Sequence, residues 1–348
     1  MLVPKARAVD PPATWVFAFA LLFMTHGAIY LLLPHIHYRT DSLAVYIKYL
    51  LLVPLVVGLI AHYWSSPIAL SKTVWFCLWE ATLCIALMTG AEPLRVALYG
   101  IPAVALFMPR SVWEQLPTIS LYVLILATIG LLYEYIAIGG FGRFSEEGYR
   151  ATSIFLNPNN LGIVAVLATY FAMKTCDGVM WWVSVALGVA LAIASMSKTG
   201  LLLCLILLGY TVSGGQVLRL ITGIGALAIA AAAAISLGMV RAPWESGYLR
   251  LHQALDFFQR MDGWFFPTVG RLPPYVDNAF LQTWNEMGLL PLLVFICAIA
   301  YGALRDRLRS PLWLLFGAAA ATTNINYLWP VAYLFWAYIG NGKHDDPV

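Results

Sequence analysis

RAPWESGYLRLHQALDFFQRMDGWFFPTVGRLPPYVD, residues 241–277, is the one long polar interruption in a chain that is otherwise apolar, and the run Asn278-Ala-Phe-Leu-Gln282 follows it. It carries Arg241, Arg250, Arg260 and Arg271, together with His252 and a run of aromatics that includes Trp244, Tyr248, Trp264 and Tyr275. Guanidinium groups suit phosphate oxygens, and aromatic faces suit the apolar faces of sugar rings. This loop therefore points to a lipid-linked glycan that bears phosphate. Tyr248, His252 and Trp264 are its candidate glycan-binding residues, and packing or interface anchoring is the alternative reading of the aromatics.

Outward from this loop the chain reads as membrane. Of its 348 residues 61% are hydrophobic and 11% charged, where a soluble domain carries roughly 25% charged residues. Mean hydropathy is +0.80. The class expected is an all-α, polytopic integral membrane protein whose solvent is the lipid bilayer. A net charge of +3 gives no reason to expect a nucleic-acid partner. The five cysteines lie in apolar runs or, for Cys176, in a short loop, so no disulfide framework is implied. Met1 to Thr14 reads as a short basic tail, and the apolar run after it as a retained first span.

A spanning helix needs about 20 mostly apolar residues. Candidate spans fall at 14–34, 43–62, 73–90, 96–109, 116–138, 158–173, 179–195, 199–213, 218–239, 278–303, 311–322 and 327–340, twelve in all. The last two are divided by Thr322-Thr323-Asn324-Ile325-Asn326, which reads either as a tight hairpin or as part of one irregular element. Residues 1–348 form a single transmembrane domain in this reading, with 240–277 as its external loop. The short cluster Arg305, Arg307 and Arg309 places the amino terminus inside and the long loop outside. No repeat of the kind that marks many secondary transporters is visible.

Two local features follow from side-chain chemistry. Asn157-Pro158 puts an N-cap residue before a proline at the first helical position, so a helix should start there. In the loop, Tyr248, Leu251, Leu255 and Phe258 recur at spacings of three and four, which predicts an amphipathic helix presenting Arg250.

Three segments resemble one family. Arg150-Ala-Thr-Ser-Ile-Phe-Leu-Asn157-Pro158-Asn159 is similar to the Arg-x-x-Gly-x-Phe-x-Asn-Pro-Asn pattern of the O-antigen ligase and Wzy-type polysaccharide polymerase superfamily. Ser197-Lys198-Thr199-Gly200 resembles that family's Ser-Arg-Gly-Ala turn. Asp277-Asn278-Ala-Phe-Leu-Gln-Thr-Trp-Asn-Glu286-Met-Gly288-Leu resembles its His/Asp-Asn-x-Tyr-Leu run ending in Glu-x-Gly-Leu. The resemblance covers roughly residues 120–300. It implies a twelve-span, GT-C-like enzyme of the bacterial inner membrane that transfers a glycan from undecaprenyl diphosphate on the periplasmic face, with both termini cytoplasmic. A chain-length regulator protein is a further partner to expect. Two departures stand out: Lys198 replaces an Arg common in the family, and Asp277 stands where ligases have His.

The roles agree with elementary chemistry. A departing diphosphate is strongly anionic and needs fixed cations, for which Arg150, Lys198 and Arg250 are the candidates. The acceptor hydroxyl must lose a proton; Asp277 is the first choice as base, with Glu286 and His252 in reserve. The catalytic set is thus Asp277, Arg250 and Glu286. With neither a His/Cys cluster nor an Asp-x-Asp motif, no metal and no cofactor is expected.

Each residue also has a structural reading. Arg150 can pair with Glu146 or Glu147, Lys198 can snorkel from a helix start, and Asp277 can cap the helix that follows it. Glu286 lies inside a span, where a charge usually has a function, though that function can be structural pairing, for example with Lys198. Glu80, mid-span beside Trp79, raises the same question. The function expected is a polymerase joining lipid-linked repeat units. A ligase using the same donor is the alternative, and a polysaccharide or lipid transporter is the alternative from another class.

Overall fold

The computed structural model describes residues 56–64, 67–137, 139–140, 150–155, 157–214, 216, 255, 259, 265–267, 278–306 and 308–341. Every regular element among them is helical. In chain order these are α1 (Leu70–Met88), α2 (Pro93–Gly100), a 3-10 segment (Ile101–Phe107), α3 (Arg110–Trp113) and α4 (Leu116–Ala137). A 3-10 turn (Ser153–Phe155) precedes α5 (Pro158–Ala172), α6 (Gly178–Ala194) and α7 (Lys198–Val212). Then come α8 (Ala279–Met287), α9 (Leu289–Arg305), α10 (Leu312–Thr322), a 3-10 turn (Ile325–Tyr327) and α11 (Trp329–Asn341). Residues 56–64 are also helical.

Prolines mark the starts. Pro93 and Pro158 open their helices, and Pro117, Pro291 and Pro330 lie in the first turns of α4, α9 and α11. A first turn has no intrahelical use for the missing N–H, so proline is tolerated there. At α5 the sequence expectation is met: Asn157 sits in extended backbone and its side chain accepts a hydrogen bond from Asn159 N.

Two helices, α1 and α4, are long and apolar enough to cross a membrane, and α6, α7, α9 and α10 are shorter apolar helices. With 22 residues, α4 is about 33 Å long, close to the thickness of a hydrocarbon core.

Two expected spans take a different form. Instead of a helix over 96–109 there is α2 followed by a 3-10 segment, because Pro102 cannot supply the N–H that an α-helix needs there. Instead of one helix over 278–303 there are α8 and α9, broken at Gly288. Gly288 has φ 87°, and a Cβ there would lie 2.6 Å from Phe265 O, so the break demands glycine. The segment 322–327 resolves into the end of α10 and a 3-10 turn ahead of α11. The expected spans 14–34 and 218–239 and, apart from Leu255 and Gln259, the amphipathic helix around Arg250 lie outside the described residues.

The described residues divide into two compact units. The first takes in residues 56–64 and 67–75, the described residues within Ala103–Cys204, and Leu328–Asn341. Its centre is α5, buried along almost its whole length, as a helix that is apolar all round should be. Around it pack α4, α6 and α11. Helix α4 turns Ile119, Val123, Ala127, Gly130 and Glu134 inward, at spacings of three and four. Its opposite stripe (Tyr122, Ile125, Ile129, Leu132 and Ile136) is apolar and exposed. Lys72 lies in the first turn of α1 and is buried, donating to Met108 O at 2.8 Å and Asn341 Oδ1 at 2.9 Å.

The second unit takes in Phe76–Pro102 and the described residues within Leu205–Tyr327. Helices α8, α9 and α10 pack on one another, and α2 meets the 3-10 turn Ile325–Tyr327. Trp79 is fully buried and donates from Nε1 to Tyr99 O at 3.1 Å. Its neighbour Glu80 places its carboxylate against Gly100, where a Cβ would meet the two oxygens at 3.0 and 3.1 Å.

Candidate functional site

In the first unit, two of the three motif segments form one hydrogen-bonded assembly. Helices α5 and α7 cross near their N-terminal ends through Gly162 and Gly200. A Cβ on Gly200 would lie 2.8 Å from Gly162 Cα, so the backbones touch. Small residues allow such contact where apolar helices cross. The crossing brings Asn159 beside Ser197, whose Oγ donates to Asn159 Oδ1 at 3.0 Å. Arg150 completes the group: Nη2 donates to the same Asn159 oxygen at 2.9 Å, and Nε to Ser195 O at 3.1 Å. The Arg150 guanidinium is only partly buried.

Lys198 is the first residue of α7 and is exposed. Ser197 caps that helix, its Oγ accepting from Gly200 N at 3.1 Å. A lysine at a helix start adds charge to the positive end of the helix dipole, where a side chain of the opposite sign is favoured. The N-terminal ends of α5 and α7, Arg150 and Lys198 thus lie in one part of the first unit. An anion is the species such an arrangement stabilises.

Glu286 belongs to the second unit. It lies in α8 two residues before the Gly288 break and is buried. Its carboxylate accepts from Arg95 Nη1, Gln282 Nε2 and Tyr327 Oη on one oxygen, and from Tyr99 Oη at 3.0 Å on the other. Arg95 also donates from Nε to Glu92 at 2.7 Å. Around the carboxylate, Asn326 Nδ2 donates to Thr283 Oγ1 at 3.1 Å. The cation that pairs with Glu286 is therefore Arg95, not Lys198 as the sequence suggested. A carboxylate ringed by Arg95, Gln282, Tyr327 and Tyr99 is a hub that orients donors, and it has little room left to take a proton from a substrate.

Of the other expected site residues, Tyr248, Arg250, His252, Trp264 and Asp277 lie outside the described residues. Asn278 holds the cap of α8, its Oδ1 accepting from Phe280 N at 2.9 Å and Leu281 N at 3.1 Å. Among the described residues no group of His, Cys, Asp and Glu side chains gathers where a metal ion fits.

Three groups escaped the sequence reading: Arg95, the tyrosine pair Tyr99 and Tyr327, and Glu134. Glu134 carried the signal that drew attention to Glu80 and Glu286, an acid inside an apolar run. Arg95 and the tyrosines carried none, since only packing brings them to Glu286.

Comparison with protein-family models finds no match, and comparisons with curated proteins and with solved structures likewise find none.

Proposed function

We propose that this chain is a polysaccharide polymerase of the bacterial inner membrane. It joins oligosaccharide repeat units carried on undecaprenyl diphosphate at the periplasmic face, on a GT-C-like frame of twelve spans with both termini cytoplasmic. The exposed apolar stripe of α4 supports a lipid environment: unpartnered Ile and Leu side chains along a helix of spanning length are stable against lipid tails and unfavourable against water. The observation that carries the reading of the site is the assembly of Arg150, Asn159 and Ser197 beside Lys198, made from two of the motifs that resemble the polymerase and ligase superfamily.

In the proposed reaction a hydroxyl of the incoming repeat unit attacks the anomeric carbon of the growing chain. The bond from that carbon to the diphosphate oxygen breaks, and its electron pair leaves with the undecaprenyl diphosphate. Arg150, Lys198 and Arg250 stabilise the charge that builds there. Asp277 takes the hydroxyl proton, with His252 in reserve. Glu286, already held by Arg95 and the two tyrosines, positions α8. Tyr248, His252 and Trp264 bind the glycan.

The test is purified full-length protein in micelles supplied with lipid-linked repeat units. A ladder of products differing by one repeat unit, formed without any membrane gradient, is the expected result. Transfer only to a lipid A-core acceptor would make the protein a ligase. No transfer, with gradient-dependent movement of glycan in vesicles, would make it a transporter.

A further inference from the structure

Glu134 is fully buried near the C-terminal end of α4. Its carboxylate receives Thr152 N at 3.0 Å, Ser153 N at 2.7 Å and Thr152 Oγ1 at 3.2 Å. Two successive backbone N–H groups aimed at one carboxylate form an anion-holding nest, and Ser153 adopts the positive φ of 48° that such a bend requires. Ser153 Oγ then donates to Ala127 O at 2.6 Å, two turns back along α4. Gly130 lies between, and a Cβ there would meet Ser153 Oγ and Ile154 Cγ2 at 2.7 Å. On its other side the segment is tied by Ala151 N to Ala194 O at 3.1 Å. Arg150 is the next residue along this pinned backbone.

A buried carboxylate in an apolar helix is expensive and is retained where it has a function. The function visible here is to hold the backbone that carries Arg150. We propose that Glu134 is a positioning residue: by fixing Thr152 and Ser153 it sets the direction in which Arg150 presents its guanidinium to a diphosphate. This rests on the reading of Arg150 as a diphosphate contact. The placement of a bidentate cation matters because a displacement of about 1 Å in a binding constellation can cost roughly a hundredfold in rate.

The experiment titrates full-length protein in detergent micelles with undecaprenyl diphosphate and compares wild type, Arg150→Ala, Glu134→Gln and the double variant. Glu134→Gln keeps the shape but loses the charge and turns one acceptor into a donor facing N–H groups. It is expected to weaken binding about tenfold, and the double variant is expected to bind no more weakly than Arg150→Ala alone. Wild-type affinity in Arg150→Ala would sink the diphosphate reading itself. Weak binding by Arg150→Ala with wild-type affinity in Glu134→Gln would overturn the positioning role and leave the diphosphate reading standing. Losses that multiply in the double variant would also overturn it, since Glu134 would then act on more than Arg150. If Glu134→Gln does not fold, Gly130→Ala takes its place, lifting the same segment by steric contact. Wild-type affinity in that variant would likewise overturn the proposal.

Discussion

Arg150 and Asn159 are joined by a hydrogen bond of 2.9 Å from the guanidinium Nη2 to the amide Oδ1. Both ends of the Arg150 to Asn159 motif thus fold back on each other, and the same amide oxygen receives Ser197 of the next motif. A pattern that is linear in sequence becomes a closed knot of polar groups at the starts of two helices.

Arg150→Ala removes a charge-assisted contact of the kind that contributes about 2.7–4 kcal/mol in a transition state. Polymer formation in micelles is expected to fall by about two to three orders of magnitude while the protein still folds. Arg150→Lys should recover little, because an ammonium cannot reach Ser195 O and Asn159 as a planar fork does. Polymer yield from Arg150→Ala equal to wild type would reduce Arg150 to a structural tie.

Arg95 and Glu286 should behave as a coupled pair. Removing one partner of a buried ion pair costs about 3–5 kcal/mol, and the partial exposure of Arg95 lowers that figure. Arg95→Ala is expected to destabilise by about 2–3 kcal/mol, read by chemical unfolding in micelles. The double variant Arg95→Ala with Glu286→Ala should cost less than the sum of the two single changes, by about 1 kcal/mol or more. Simple additivity would mean that the hydrogen bonds from the tyrosines and Gln282, not the cation, hold the carboxylate.

Gly200→Ala tests the crossing of α5 and α7. The added methyl meets the Gly162 backbone at 2.8–3.2 Å, with no flexible side chain to move aside. The helices must separate, which breaks the bond from Ser197 to Asn159. The expected outcome is a loss of activity larger than that of a Gly to Ala change at a half-buried position of the same helix away from the crossing, such as Gly209→Ala. Activity assays on the two folded variants check it, and equal behaviour would show that the crossing does not organise the site.

Asp277→Asn separates polymerase from ligase. With a reference pKa of about 3.9, an aspartate can accept a proton or orient the attacking hydroxyl without tuning. Since Asn278 already caps α8, the substitution should leave folding intact and abolish most transfer. Cells carrying it are expected to accumulate undecaprenyl diphosphate bearing one repeat unit, sized by mass spectrometry. Full-length polymer still attached to the carrier would identify a ligase. Behaviour like wild type would move the base role to His252.

The sequence by itself determined where several of the described helices lie, because those signals are local. Apolar runs bounded by Lys, Arg, Pro and Gly located α1, α4, α5, α6 and α7 to within a few residues, and Asn157-Pro158 marked the start of α5. It also supplied Arg150, Lys198 and Glu286 as residues whose chemistry needs explaining. Tertiary structure alone decided their partners. Glu286 meets Arg95 across 191 residues of chain and Tyr99 across 187, and no pattern of spacing along one helix encodes such an encounter. It also decided the break at Gly288, which the close approach of Phe265 O makes necessary, and the use of Glu134 to hold Thr152 and Ser153. A helix start is set by the few residues around it. The partner of a buried charge is set by which helix faces pack together, and that depends on the whole unit at once.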